Sequence, residues 1–470
     1  MSGLTPDQKA AMQTACRHAV SYREGVSDRP IPPREDLDAA VARFCAPLAV
    51  QGQGGEQVIE QLVRDADGGI SQMTSANYYG YVLGGSHPVG VAADMLVSAW
   101  GQNAGSAFET PAISGMERAV CNWCLDLLNL PASCRVGIVT GATVANTQGV
   151  MAGRHALLAR QGWDVEDKGL FGAPQIPVLI GDAAHSAPFA ALRYAGFGAG
   201  RAVRMATDDQ GAIRPEAFKA ALSKCTTPPL VILQAGQINT GAFDPFSRLI
   251  PAVHDAGGWV HIDGAFGLWA AVVPELADRL GGMENADSWA VDLHKWLNAP
   301  FDAALSIVRD PAPLVAAMSA RGAYLPETSD QWEPSDATIE LSRRARGVPS
   351  YAILRHLGQS GVREMVARHC ALARKAADEL ACVPGVTILN DVVLNQVAVS
   401  FGDGEVGDDL TDQVLSIVQK NGLVYPTHGE WRGRRIIRIS VIGYKTQSED
   451  INLLVSEIRA AWRQVQGGET

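Results

Sequence analysis

Asp287-Ser-Trp-Ala-Val-Asp-Leu-His-Lys-Trp-Leu-Asn298 decides how this chain is read. Ser288 to Val291 is strand-like, and His294 and Lys295 follow at its end. Trp296, Leu297 and the preceding strand argue against a surface position for the lysine. Desolvation there pulls an ammonium pKa down, which suits an amine that must attack a carbonyl. About thirty residues earlier, His261-Ile-Asp-Gly-Ala-Phe-Gly267 brings another strand-like run to its end at Asp263. A buried carboxylate needs a charged or hydrogen-bonding partner. A structural ion pair would supply one, and so would a protonated pyridine nitrogen. A strand-end lysine that can form an imine, with a strand-end aspartate for a pyridinium nitrogen, points to pyridoxal 5′-phosphate (PLP) as cofactor.

Outward from this stretch the chain alternates as α/β proteins do. Strands are expected at Arg135–Val139, Pro177–Ile180, Ala202–Met205, Leu230–Leu233, Trp259–Ile262, Ser288–Val291 and Leu305–Val308. Helices are expected at Thr143–Arg160, Ser186–Tyr194, Pro215–Leu222 and Pro245–Ala256. Several strands are continuously apolar, as when helices cover both faces of a mostly parallel sheet. Active groups in such sheets gather beyond the carboxyl ends, where Thr140, Asp263, His294 and Lys295 fall. The expected organisation is an N-terminal helical segment (1–75), a large cofactor-binding domain (76–312), a mobile loop with connecting helices (313–382) and a small α+β domain (383–470). Strands are expected in that last domain at Gln396–Phe401 and Arg435–Val441. Thr5-Pro-Asp-Gln8 reads as a helix start, and Ser114-Gly-Met-Glu117 as a capping box before Cys121 and Cys124.

At 470 residues the chain can bury a large core. Its 47% hydrophobic and 19% charged residues suit a folded enzyme. A net charge of −11 disfavours nucleic acid and anionic membranes as partners. Met1 to Gln13 lacks the apolar core of a signal peptide, and no apolar run is long enough to span a bilayer. Eight scattered cysteines suggest a reducing, cytoplasmic setting, and no His/Cys cluster has zinc spacing, so no metal is expected.

Three further motifs sit where strands meet helices. Thr140-Gly-Ala-Thr-Val-Ala-Asn146 could hold a phosphate with its free N–H groups and the Thr143 hydroxyl, or be an ordinary tight turn. His185, in Asp182-Ala-Ala-His185-Ser, could lie over an aromatic ring and move a proton, or be a capping histidine. Asn239-Thr-Gly-Ala-Phe-Asp244-Pro reads as a turn with Asp244 capping the next helix, and Thr240 is a candidate cofactor contact.

As an ordered set these residues resemble the PLP-dependent group II amino-acid decarboxylases. Gly84-Gly-Ser-His-Pro88 and Ser342-Arg-Arg-Ala-Arg-Gly347 add to the likeness, which runs from Tyr78 into the C-terminal domain. It implies fold type I (aspartate-aminotransferase-like), a homodimer with the site at the subunit interface, and decarboxylation of an L-amino acid to its amine. It further implies that Lys295 is the Schiff-base lysine and Asp263 the partner of the pyridine nitrogen. His185 would stack on the ring and Ala265 pack against its other face. Ala142, Thr143 and His294 would bind phosphate. Tyr79, His87, Trp332 and Arg438 would contact substrate.

Two departures stand out. Where the family commonly carries Gly-Thr-Thr, this chain has Gly236-Gln-Ile-Asn-Thr240. The family's catalytic loop carries a tyrosine, whereas Trp332 is the only aromatic residue in Glu327–Asp336, and Tyr324 lies before it. A carbon–carbon lyase (aldolase-type) or a decarboxylation-coupled oxidase is therefore an alternative reading, as is a PLP-binding protein without catalysis.

Overall fold

All seven expected strands form, each within about one residue of its expected bounds. The computed structural model describes residues 3–319 and 333–467. The strands are β1 (Arg135–Val139), β2 (Val178–Gly181), β3 (Val203–Met205), β4 (Leu230–Gln234), β5 (Trp259–Asp263), β6 (Ser288–Asp292) and β7 (Ala304–Val308). They join in the order β1-β7-β6-β5-β4-β2-β3. Only β7 runs against its neighbours, so β1 and β6 point the same way on either side of it.

Every position of β4 through β7 is buried, which explains their unbroken apolar runs. Trp259, Trp269, Trp289 and Trp296 are fully buried. Each indole N–H still finds an acceptor: Ser288 Oγ, the Asp292 and Met283 carbonyls, and His369 Nδ1. The helix Ala142–Ala159 lies directly on the sheet. A Cβ at Gly149 would come 2.4 Å from the His261 ring, so only glycine permits this approach.

A second, four-stranded sheet follows: β8 (Val386–Ile388), β9 (Gln396–Phe401), β10 (Thr427–Trp431) and β11 (Arg434–Ser440), in the order β10-β11-β9-β8. It has its own core, built around Phe401, Val414, Ile437 and Trp462. The helix Gly347–Ala381 links the two sheets and breaks at Gly358 (φ 63°). Near the N-terminus the Thr5–Gln8 capping box forms as expected.

Two local expectations are corrected. Ser114 lies inside the helix Pro111–Leu127, which starts a turn earlier. Glu117 is no cap either: it forms a buried two-pronged pair with Arg343. Cys121 and Cys124 are nonetheless both buried on that helix. Asp244 does not cap the helix Phe246–Asp255. Its carboxylate instead accepts the Ile213 and Gln234 N–H groups inside the core. Burial raises it to about 7. Among the described residues no helix is long and apolar enough to cross a membrane.

Candidate active site

The carboxyl ends of β1, β5 and β6 meet at one edge of the sheet. Val139 pairs with Ala304, which pairs in turn with Asp292, and Asp263 lies alongside on β5. This register brings the start of the helix Ala142–Ala159 against the loop after β6. A cavity of about 250 Å³ opens there, lined by Gly141, Ala142, Thr143, His185, Asp263, Ala265, Asp292, His294 and Lys295, with Gly236, Ile238 and Phe266 beside them.

The lysine loop is held from behind. Asn298 is fully buried at φ 57°, a conformation asparagine tolerates. Its Oδ1 accepts the Gly85 and Tyr444 N–H groups, and its Nδ2 donates to the Trp296 and Ile442 carbonyls. Gly84 donates to the His294 carbonyl, and a Cβ on it would sit 2.3 Å from the Lys295 carbonyl oxygen. The Gly84–Pro88 motif is thus a brace for the lysine loop.

Lys295 Nζ lies 2.9 Å from Asp292 Oδ2. Asp292 is almost wholly buried, and its Oδ1 accepts the Ala142 N–H at 2.6 Å. His294 Nδ1 accepts the Ala303 N–H, which leaves Nε2 to carry the proton of the neutral ring, 3.6 Å from Asp292 Oδ1. Burial lowers the His294 pKa against the pull of Asp292. The reading of the sequence missed Asp292. The signal was available: it closes β6 three residues before Lys295.

Asp263 differs. It is buried, accepts one hydrogen bond, from the Ala265 N–H, and among the described residues has no ion-pair partner within 4 Å. Burial raises its pKa, while His185 and Lys295 pull it down. A cationic ring nitrogen is what such a carboxylate lacks. His185 caps the helix Ser186–Tyr194 through Nδ1, as the capping reading expected, and it also lines the cavity. Burial, then Lys295 and Arg438, lower its pKa and favour the neutral ring. The exposed Thr143 hydroxyl borders the same cavity. A helix start, a hydroxyl, a buried unpaired carboxylate and an amine around one cavity fit PLP.

Other expected site residues lie elsewhere. Tyr79 is fully buried in the core of the small sheet and lines no part of the cavity. That core claims its ring because Tyr79 is tied to Tyr425 and Ser440 backbone groups. His87 packs against Tyr444 and His356 behind the lysine loop, where burial lowers it to about 4. Thr240 is also absent from the lining; its hydroxyl donates to the Gln210 carbonyl and accepts the Ala242 N–H. In the departing turn Gln237 Oε1 accepts the Asn239 and Thr240 N–H groups, so its side chain closes the turn. Asn239 Oδ1 accepts from Arg438 at 3.5 Å. Arg438 is buried on β11, and its Nε has no partner among the described residues. Trp332 and Tyr324 lie outside the described residues.

Comparison with known proteins agrees with this geometry. Residues 44–401 match the family described as "Pyridoxal-dependent decarboxylase conserved domain", and the chain belongs to that family. It is 27% identical to L-tyrosine/L-DOPA decarboxylase 2 of Lophophora williamsii, over 87% of this chain and 83% of that protein. It is 25% identical to phenylacetaldehyde synthase of Arabidopsis thaliana, over 87% and 85%. The crystal structure of Oryza sativa TDC with PLP and tryptamine superposes with a TM-score of 0.90 at 21% identity, covering 98% of this chain and 99% of that one. The cofactor is PLP, and the reaction is decarboxylation of an amino acid.

Proposed function

We propose that this chain converts an aromatic L-amino acid to its amine, with Lys295 as the amine that bonds the cofactor. One observation carries the assignment of roles: a single cavity gathers Lys295, Asp263, His185 and the start of the helix at Ala142. The relatives that act on tyrosine and DOPA support the aromatic class.

When bound, PLP supplies an electron sink for the pair released as the Cα–carboxylate bond breaks. Each residue then has a distinct task. The Ala142 end of the helix, the Thr143 hydroxyl and His294 anchor the phosphate. Asp263 holds the proton on the ring nitrogen, made costly to lose by the carboxylate's burial. The neutral ring of His185 covers one face and Ala265 the other. Arg438, a buried cation with few partners, orients the substrate.

The protein is further proposed to act as a cytoplasmic homodimer. Leu37, Phe44, Leu48 and Val50 near the N-terminus are exposed, as is Phe108. Exposed apolar side chains of this kind fit a second copy of the chain. All eight cysteines are free thiols, which suits a reducing compartment. Sedimentation tests the dimer.

A second reading is supported by the tyrosine-free stretch Glu327–Asp336 and by the relative named phenylacetaldehyde synthase. In it, decarboxylation is coupled to oxidation, giving an aldehyde. One experiment separates the two: purified protein with PLP is given a panel of L-amino acids while carbon dioxide, oxygen, amine and aldehyde are followed. Carbon dioxide and amine without oxygen uptake support the first reading. Oxygen uptake with aldehyde supports the second. No carbon dioxide from any amino acid overturns both.

A further inference from the structure

Asp292 has no task in the scheme above, yet its carboxylate lies 2.9 Å from the reacting nitrogen. Its backbone is fixed at both ends of the residue: the N–H donates to the Ala265 carbonyl, and the carbonyl accepts the Trp269 indole. Its carboxylate is therefore aimed by the end of β6, with little freedom beyond side-chain rotation. Oδ1 rests on the Ala142 N–H and Oδ2 on Lys295 Nζ. Around it stand His294 from the same loop, His185 from the start of its helix, and Asp263 from β5, while Asp302 faces His294.

An amine attacks a carbonyl only when unprotonated, so an ammonium at Lys295 must first lose a proton. The Asp292 carboxylate, itself almost wholly buried, lies 2.9 Å from the lysine nitrogen and is in hydrogen-bond reach to take that proton. We propose that Asp292 is a catalytic residue, taking a proton from Lys295 Nζ when the lysine bonds the cofactor aldehyde. The inference rests on Lys295 being the bonding amine.

The step balances. Asp292 takes one proton, and the freed electron pair on nitrogen forms the N–C bond. A second N–H proton moves to the aldehyde oxygen. Asp292 then returns its proton to that hydroxyl, which leaves as water. The nitrogen keeps one proton and the positive charge, and the carboxylate ends as it began. When a substrate amine displaces the lysine no water takes part: Asp292 takes a proton from the incoming ammonium and gives it to the departing Lys295 nitrogen.

The test uses the full chain, stripped of cofactor and mixed again with PLP, with the rate of appearance of the visible absorbance band as readout. For the wild type, the rate is expected to stay level between about pH 6.5 and 8, because the proton passes within the pair. For Asp292→Asn, the rate at pH 7 is expected to fall about 10²-fold and to rise about tenfold per pH unit across that range. Binding of pyridoxine 5′-phosphate, which has ring and phosphate but no aldehyde, is expected to be unchanged in the variant. A wild-type rate in Asp292→Asn overturns the proposal. So does parallel loss of pyridoxine 5′-phosphate binding, which would make Asp292 part of the phosphate cradle alone. If the variant does not fold, a wild-type rate that climbs tenfold per pH unit is enough to overturn it. Lys295→Ala separates the two claims: a covalent band in that variant defeats the assignment of the lysine itself.

Discussion

Asp263 and Asp292 close two adjacent strands at the same edge of the same sheet, and both are buried. Their surroundings diverge after the strand ends. Beyond β5 the chain turns at Gly264, leaving Asp263 with only the Ala265 N–H. Beyond β6 the chain is folded back by the Asn298 anchor, which returns Lys295 and His294 to the Asp292 carboxylate. Among the described residues one carboxylate has no ion-pair partner within 4 Å, and the other has Lys295. Identical residues at equivalent strand ends thus acquire different chemistry from the path of the next few residues.

The largest test of this contrast removes the cation that both carboxylates sense. Lys295→Ala should abolish the visible cofactor band and lower decarboxylation about 10⁴-fold or more, as expected for loss of a nucleophile that acts as part of a unit. Replacing Asp263 with Asn should leave the covalent band in place but lower kcat about 10²- to 10³-fold, the scale of losing one preorganised electrostatic contact. Asp292→Asn should show the opposite pattern, with capture slowed more than turnover. If the two variants behaved alike, the distinction between the two strand ends would collapse.

The anchor can be tested separately. Asn298→Ala leaves buried N–H and carbonyl groups unpaired and should cost about 3 kcal/mol of stability, read by denaturant unfolding. The smallest effect concerns the scaffold. Burial lowers His87 to about 4 and His261 and His369 to about 3. Their folded values lie below the unfolded one, so their contribution is lost as pH falls below about 6.5. Asp244 is raised to about 7 and works the other way, gaining stability over the same interval. The balance of these four groups predicts a loss of about 1 kcal/mol between pH 7 and 6. A rise in stability over that interval would show that the scaffold histidines are not buried as neutral rings.

The sheet was legible because β4 to β7 are buried on both faces and so carry continuous apolar runs. β8 and β10 were missed for the converse reason. β8 is three residues long, and β10 reads Thr-His-Gly-Glu-Trp, a polar run with only its ends fully buried. Asp263 and Lys295 stood out through the motifs around them, His261-Ile-Asp-Gly-Ala-Phe-Gly267 and His294-Lys295. Asp292 was passed over as the last residue of such a strand; its meaning depends on a neighbour, Ala142, that lies 150 residues away. Tyr79 and His87 belong to a stretch that braces the site from behind. Sequence proximity to a motif could not tell a brace from a lining, because that depends on which core claims the side chain.

The position of β7 has a consequence for how the protein is made. β1 and β6 become neighbours of the same pocket only through this strand, which slots between them against their direction. A ribosome releases Thr140 long before Val308, so a growing chain holds one half of the cofactor's seat without the other. The cavity is therefore completed only late in synthesis. Until β7 arrives, both flanking strands carry unpaired edges that invite contact with other chains.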